Sequence, residues 1–227
     1  MFFPERIKGI KPGDKVLEIG PGSTPHPRSN VLLEKKYDTE EEYNAQTGYN
    51  GTLNTKQQVV FYDGDRFPFE DDSFDYVICS HVLEHIADVP GFMAEITRVA
   101  KRGYFEFPTI YYDYLYNFPV HTTFLLKREE GLYYMLKSES PLSVFQPVQN
   151  LLYHSLETGH VDLVDDLKEY LFQGFEWEGG IRLIKTLNIS ELCYPAAGIR
   201  LNKKRSASVG AVIRKKVKGV VGKLAGR

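Results

Sequence analysis

Five short apolar runs, each closing on a glycine, an acid or another polar residue, constrain this chain most. They are K-V-L-E-I (15–19), V-L-L-E (31–34), V-V-F-Y (59–62), F-D-Y-V-I-C (74–79) and G-Y-F-E-F (103–107). Runs that are continuously apolar rather than alternating belong to strands buried on both faces, as in a parallel sheet with covering helices. A helical pattern sits between the last two. Phe92, Ile96 and Val99 recur at helical spacing over residues 90–100, with Asp88 placed to cap the N-terminus and Lys101 and Arg102 at the other end. A shorter helix over 82–86 is expected after the fourth strand. Residues 37–55 are polar and carry a capping-box pattern from Thr39 to Glu42, which predicts a short helix and a loop placed where a lid would lie. Beyond residue 110 the pattern changes to a tyrosine-dense stretch, then a hairpin turning at 130–131. Two helices over 142–156 and 161–172 and a strand over 175–184 follow. The expected fold is α/β and Rossmann-like: a mostly parallel sheet with helices on both faces, a shortened first crossover and helical C-terminal additions.

Ligands of such sheets collect beyond the carboxyl ends of the strands, where the strand order reverses. That end holds Gly20-Pro21-Gly22, Glu34, Asp63-Gly64-Asp65 and Ser80-His81. Glycines admit a ligand close to backbone. A carboxylate at the second strand end can accept both protons of a ribose diol, and one after the third strand can accept from an exocyclic adenine amine. Two cofactor classes use such a turn. A dinucleotide fingerprint requires a third small residue where Pro25 stands, and its pyrophosphate requires a helix starting directly after the turn. Pro25 and Pro27 leave space for one helical turn at most, with Thr24 as its cap. Only eight residues separate Gly22 from Val31, fewer than a parallel crossover normally takes. A phosphate-free cationic cofactor loses less when that helix is missing.

Through V-L-E-I-G-P-G (16–22), D-G-D-R-F-P-F-E-D-D-S-F-D-Y-V-I-C-S-H-V-L-E-H (63–85) and E-I-T-R-V-A-K-R-G (95–103), the chain resembles the class I S-adenosylmethionine-dependent methyltransferases, in particular the type 11 group. The resemblance covers about residues 14–110. It implies a bound S-adenosyl-L-methionine, with S-adenosyl-L-homocysteine as product. Glu18, Gly20, Pro21 and Gly22 would surround its amino-acid end, Glu34 would take the ribose hydroxyls, and Asp63 and Gly64 would face the adenine. Ser80 and His81 would lie beside the sulfonium. Asp65, Asp71 and Asp72 are read as solvated turn residues and Cys79 as a buried strand residue.

Methyl transfer to a hydroxyl or amine needs alignment and removal of a proton, for which histidine is suited near neutral pH. The candidate catalytic residues are His121 (in F-P-V-H-T-T-F), His81 and His85. His85 also reads as a residue that caps or packs its helix. H-V-L-E-H (81–85) matches the H-x-x-E-H zinc signature, giving a zinc hydrolase through His81, Glu84 and His85 as the remote alternative; its position inside the methyltransferase motif argues for no metal. Tyr111, Tyr112, Tyr114 and Tyr116 offer either acceptor contacts or packing between sheet and helices, and Trp177 reads as core.

Composition bounds the remainder. With 42% hydrophobic and 26% charged residues over 227 positions, the chain is globular in type, and two cysteines imply no disulfide framework. No signal-like segment opens it and no long apolar run crosses it, so a cytoplasmic protein is expected. Nine of the 28 lysines and arginines fall in residues 203–227, which hold no acid, leaving 19 bases against 30 acids elsewhere. Val209, Val212, Ile213, Val217, Val220, Val221 and Leu224 recur at three- and four-residue steps there. That is the pattern of a basic amphipathic helix on an anionic membrane, with a protein partner next and nucleic acid last. The expected organisation is a methyltransferase domain over 1–202, with a cofactor half (14–110) and acceptor-side elements (111–202), and a tail over 203–227. The expected function is methyl transfer to a small-molecule, glycan or lipid-linked acceptor at the inner membrane face; the alternative is a non-catalytic S-adenosylmethionine-binding scaffold.

Overall fold

A computed structural model describes residues 1–39, 53, 55–64, 66–143 and 145–195. Most of the loop expected over 37–55, Asp65 and the whole 203–227 tail lie outside the described residues. Backbone contacts divide the chain into Met1–Cys193 and Tyr194–Arg227. Everything below concerns the first unit.

Six strands form the main sheet in the order β3-β2-β1-β4-β5-β8. They are β1 (Val16–Ile19), β2 (Val31–Lys35), β3 (Gln58–Tyr62), β4 (Tyr76–Ser80), β5 (Arg102–Pro108) and β8 (Phe172–Glu178). The first five run parallel and β8 closes the edge antiparallel to β5. The five apolar runs are therefore the five parallel strands, and the order reverses between β1 and β4, as a Rossmann-like sheet requires. A second sheet joins β6 (Thr123–Arg128), β7 (Gly131–Leu136) and β9 (Leu183–Lys185). The single strand expected over 175–184 is two strands in different sheets. Gly179 and Gly180 both take positive φ, 72° and 115°, which breaks the extended run and turns it from one sheet to the other.

At its centre, over β1, β4 and β5, the sheet is buried on both faces, and the two faces carry different chemistry. Leu17, Ile19, Val77, Cys79 and Phe105 join a large core under helix α1 (Val89–Val99), whose Val89, Phe92, Met93, Ile96 and Val99 are buried against them. Asp88 caps α1 as the pattern predicts, its Oδ1 accepting from the Gly91 amide at 3.1 Å. On the opposite face Val16, Tyr76, Ile78 and Tyr104 form a smaller cluster with Ile7 and Ile10 of the N-terminal segment. By strand alternation this face also carries Glu18, Ser80 and Glu106. Beyond β5 the tyrosine-dense stretch forms α2 (Ile110–Tyr116), a helix not foreseen in the sequence. It packs with α3 (Gln146–Glu157) and α4 (Asp162–Leu171) around Phe3, Tyr116, Val164, Leu171 and Phe172.

The first crossover has no helix at all, so the single turn capped by Thr24 is absent. Side chains hold it instead. Glu18 Oε2 accepts from the His26 amide at 2.8 Å and from Ser29 Oγ at 2.7 Å, and Asn30 Oδ1 accepts from the Val16 amide at 2.7 Å. The Gly20 amide then donates to Leu33 O at 2.9 Å, which locks the turn to the next strand. Replacing Glu18 by alanine leaves the Ser29 hydroxyl and the His26 amide without their acceptor in a largely buried site. The expected cost is about 1–3 kcal/mol, read as a lower midpoint in urea with unchanged slope.

Candidate active site

A cavity of about 660 Å³ opens at the carboxyl ends of β1, β2 and β4, within the size range of small-molecule sites. The turn after β1 contributes Gly20, Pro21 and Gly22, β2 contributes Glu34, and β4 leads into Ser80 and His81. Opposite them the wall is built from Glu84, His85, Phe118, His121, Tyr112 and Tyr153, with Phe2 and Phe172 closing one side. Of the residues anticipated from sequence, Gly20, Pro21, Gly22, Glu34, Ser80, His81, His85 and His121 thus share one cavity. Glu18, Asp63 and Gly64 do not line it. Glu18 is engaged in the crossover, and the Asp63-Gly64 turn follows β3, one strand further out.

The glycine turn is shaped by sterics. Gly20 and Gly22 take φ of 60° and 58°, and a Cβ on Gly20 would meet Val82 Cγ2 at 2.6 Å. Only glycine fits there. The β1–β2 register pairs Ile19 with Leu33, so the next residues, Gly20 and Glu34, stand side by side at the sheet's end. The short crossover therefore does bring Glu34 to the turn. Burial raises the Glu34 carboxyl to about 6, against the opposing hydrogen bond from the Lys35 amide.

His81 follows β4 in the left-handed region, φ 57°, a conformation that costs a non-glycine residue energy and persists only when its surroundings enforce it. Its amide donates to Glu106 O at 2.8 Å. Its Nε2 lies 2.9 Å from Glu106 Oε1, and its Nδ1 lies 3.4 Å from Glu84 Oε1. Burial disfavours charge on the ring, but the hydrogen bonds to the two carboxylates prevail and raise it to about 9. His81 is an imidazolium at neutral pH and cannot act there as a base. Glu106 is fully buried, and it also accepts from the Phe2 amide at 2.6 Å, the Phe3 amide at 3.0 Å, Tyr104 Oη at 2.7 Å and Ser80 Oγ at 3.2 Å. Burial alone would raise its pKa, yet these donors and the His81 charge hold it at about 2.

The H-x-x-E-H zinc arrangement is not formed. Residues 81–86 contain only a 3₁₀ turn, Leu83–His85, so His81 and His85 are not one α-helical turn apart, and both nitrogens of His81 face carboxylates. His85 and His121 meet instead, ring to ring, at 4.8 Å and 86°. His85 Nδ1 is 3.1 Å from Val120 O, and His121 Nδ1 bonds the buried Asp113 carboxylate. Each ring therefore keeps Nε2 for a ligand. Burial lowers the His85 pKa, with the Glu84 charge opposing. Glu84 is held below the usual carboxylate range despite its burial, by the His81 hydrogen bond and the nearby histidine charges.

Two participants escaped sequence reading, Glu106 and Asp113, and Glu84 entered it only through the zinc signature. The available signal was an acid inside an apolar run, G-Y-F-E-F, and another within a tyrosine stretch, Y-Y-D-Y. The tyrosines divide: Tyr112 lines the cavity and stacks on Phe118 at 5.2 Å, Tyr116 is core, and Tyr114 is exposed. Trp177 is core, stacked on Phe105.

Residues 35–105 match the family model described as a methyltransferase domain, that of the type 11 group. This part of the chain is thus similar to a methyltransferase domain. Among curated relatives, sterol 24-C-methyltransferase erg6 of Schizosaccharomyces pombe is 32% identical over 102 residues, 42% of this chain and 27% of that protein. Sterol 24-C-methyltransferase ERG6B of Gibberella zeae is 35% identical over the same shares. The chain thus spans about a quarter of the length of these relatives. Among solved structures, an S-adenosylmethionine dependent methyltransferase from Mesorhizobium loti is similar at 14% identity and a TM-score of 0.39, over 75% of this chain and 91% of that one. The PH0226 protein from Pyrococcus horikoshii OT3 gives 16% and 0.40, over 78% and 86%.

The charge pair has a pH signature. The raised His81 contributes stability that is fully present below its ordinary value of 6.5 and is lost as pH rises through about 9. The lowered Glu106 contributes stability present above its ordinary 4.5 and lost as pH falls through about 2. The melting temperature should therefore drop between pH 8 and 10 beyond what surface lysines cause. In His81→Gln that alkaline step should vanish, with a loss of about 3–5 kcal/mol at pH 7 because two buried carboxylates lose their counter-charge.

Proposed function

We propose that the chain is an S-adenosyl-L-methionine-dependent methyltransferase acting on a small acceptor that presents a hydroxyl or amine. One observation carries this reading: Gly20-Pro21-Gly22, Glu34 and the His85–His121 pair line a single cavity within a chain whose residues 35–105 match a methyltransferase domain. The donor set fits the cofactor. Gly20 and Gly22 leave backbone uncovered for its amino-acid end, and the Glu34 carboxylate stands beside them for the ribose diol. No helix N-terminus follows the turn, so the anion-binding feature of a dinucleotide site is missing. When bound, the cofactor supplies an electrophilic methyl group on a sulfonium.

The chain's own part is alignment and proton handling. His81, fixed as a cation between Glu106 and Glu84, orients the β4 end; it does not take the acceptor's proton. That proton is handled at His85 and His121, whose Nδ1 atoms are held by Val120 O and Asp113. Tyr112, Phe118 and Tyr153 give the acceptor an aromatic wall. The curated relatives are named for methylating sterols. The acceptor of this chain is read as small-molecule, glycan or lipid-linked, the last two because of the basic 203–227 pattern. Among the described residues no helix is long and apolar enough to cross a membrane. Attachment to an anionic inner membrane face rests on the basic 203–227 pattern alone.

Calorimetric titration tests the cofactor. S-adenosyl-L-homocysteine should bind 1:1 and a nicotinamide dinucleotide should give no heat. Affinity should rise as pH increases through about 6, where Glu34 ionises, and then level. Glu34→Gln should abolish that rise and weaken binding about tenfold or more. Transfer of labelled methyl across an acceptor panel tests turnover. His121→Ala should slow it about 100-fold or more with cofactor affinity unchanged. Cofactor binding with no transfer to any acceptor would favour the scaffold reading.

A further inference from the structure

Glu84, His85 and His121 form a group the methyl-transfer reading does not fully use. One ligand atom from each lies within 4.8 Å of the others, and all three side chains line the cavity. Two features go beyond proximity. Glu84 is buried to 1% exposure, yet its Oε2 has no hydrogen-bond partner, although buried carboxylate oxygens are normally satisfied. Each histidine is also held from behind through Nδ1, His85 by the Val120 carbonyl and His121 by the Asp113 carboxylate. That is the outer support that fixes the tautomer and aims Nε2 of a metal-binding imidazole.

We propose that Glu84, His85 and His121 bind one divalent transition-metal ion of the zinc type at the acceptor end of the cavity, through the two Nε2 atoms and Glu84 Oε2. Two imidazoles and a carboxylate are a borderline-to-hard ligand set that leaves an open position. Ligands at about 2.1 Å from a tetrahedral ion stand roughly 3.4 Å apart, so metal uptake requires the three side chains, whose ligand atoms lie within 4.8 Å of one another, to close further onto the ion. The set differs from the H-x-x-E-H reading, because His81 is excluded and the third ligand comes from 36 residues along the chain, between α2 and β6. The open position faces a cavity already walled by Tyr112 and Phe118, so the acceptor class it selects is one offering an oxygen to the metal; with both Nε2 atoms on the ion, the Lewis acid would take over from the two free imidazoles the task of easing loss of the acceptor's proton. That consequence for the acceptor rests on the methyltransferase reading; the metal site does not.

The test uses the full chain, stripped with a chelator, and zinc or cobalt(II) alone. Zinc titrated by calorimetry should saturate at one ion per chain, and cobalt(II) should give the visible bands of a low-coordinate site. His85→Gln, His121→Gln and Glu84→Gln should each weaken uptake at least tenfold, while replacing the exposed His154 and His160 should change nothing. X-ray absorption of the zinc-loaded wild type should show two imidazoles with oxygen and no sulfur, which decides the ligands even if a variant fails to fold. No saturable uptake by the wild type, or uptake indifferent to the three variants, overturns the proposal, as does a sulfur or single-histidine ligand shell. S-adenosyl-L-homocysteine titrated into the same samples separates the two claims: metal bound without it sinks the methyltransferase reading alone, and the reverse sinks the metal site alone.

Discussion

A fully buried carboxylate on the central sheet organises this molecule. Glu106 lies on β5, on the face opposite α1, and takes hydrogen bonds from three chain segments: the N-terminal amides of Phe2 and Phe3, Tyr104 on its own strand, and Ser80 and His81 at the end of β4. A charge in that position is tolerated only because every lone pair finds a donor and one donor is itself charged. The His81 imidazolium then needs a second anion, which Glu84 supplies from the 3₁₀ turn. The chain of charges Glu106–His81–Glu84 runs from the sheet interior to the cavity wall. It accounts for the left-handed backbone at His81, which is the conformation that returns the ring onto β5.

The two sides of the cavity are built by different means. On the side of the glycine turn, backbone geometry dominates: positive φ at Gly20 and Gly22, no space for a Cβ on Gly20, and a strand register that delivers Glu34 beside them. Here the missing crossover helix is replaced by the Glu18 clasp on His26 and Ser29, so the turn keeps its shape without helical support. On the acceptor side, side-chain chemistry dominates. Asp113 reaches from α2 to His121, Val120 O reaches His85, and Glu84 lies between the sheet's charge network and the two histidines. The fold thus places a fixed cation at the strand end and imidazoles with a free nitrogen further out. That division suits a reaction in which one substrate is held and the other loses a proton.

How much of this was legible in the sequence follows from the range of the interactions involved. The five parallel strands and α1 declare themselves locally, through apolar runs, helical spacing and the Asp88 cap. The shortness of the first crossover was visible in Pro25 and Pro27, although the complete loss of its helix was not. Helix α2 was hidden because aromatic and β-compatible residues such as Tyr111, Tyr112 and Tyr114 have weak helical preference, and tertiary packing on Phe172 and Phe3 decides their state. The split of β8 from β9 hung on Gly179-Gly180, which a continuous apolar reading passes over. At the site, Gly20, Pro21, Gly22, Glu34, Ser80 and His81, read from the strand ends, share one cavity, whereas Glu18, Asp63 and Gly64 lie outside its lining. Glu106 and Asp113 were not legible, because their meaning lies in partners 25 and 8 residues away, and nothing local to G-Y-F-E-F announces a buried ion pair. His81 was read as a base for the same reason, since its two carboxylate partners are set by the fold.

The glycine turn, Glu34 and the paired histidines are proposed as one site for one cofactor and its acceptor. A crystal structure of the full chain with S-adenosyl-L-homocysteine tests it most directly. The expected result is the amino-acid end over residues 20–22, the ribose diol on Glu34, and the thioether sulfur turned toward His85 and His121. A ligand bound elsewhere, or a ribose making no contact with Glu34, would contradict it.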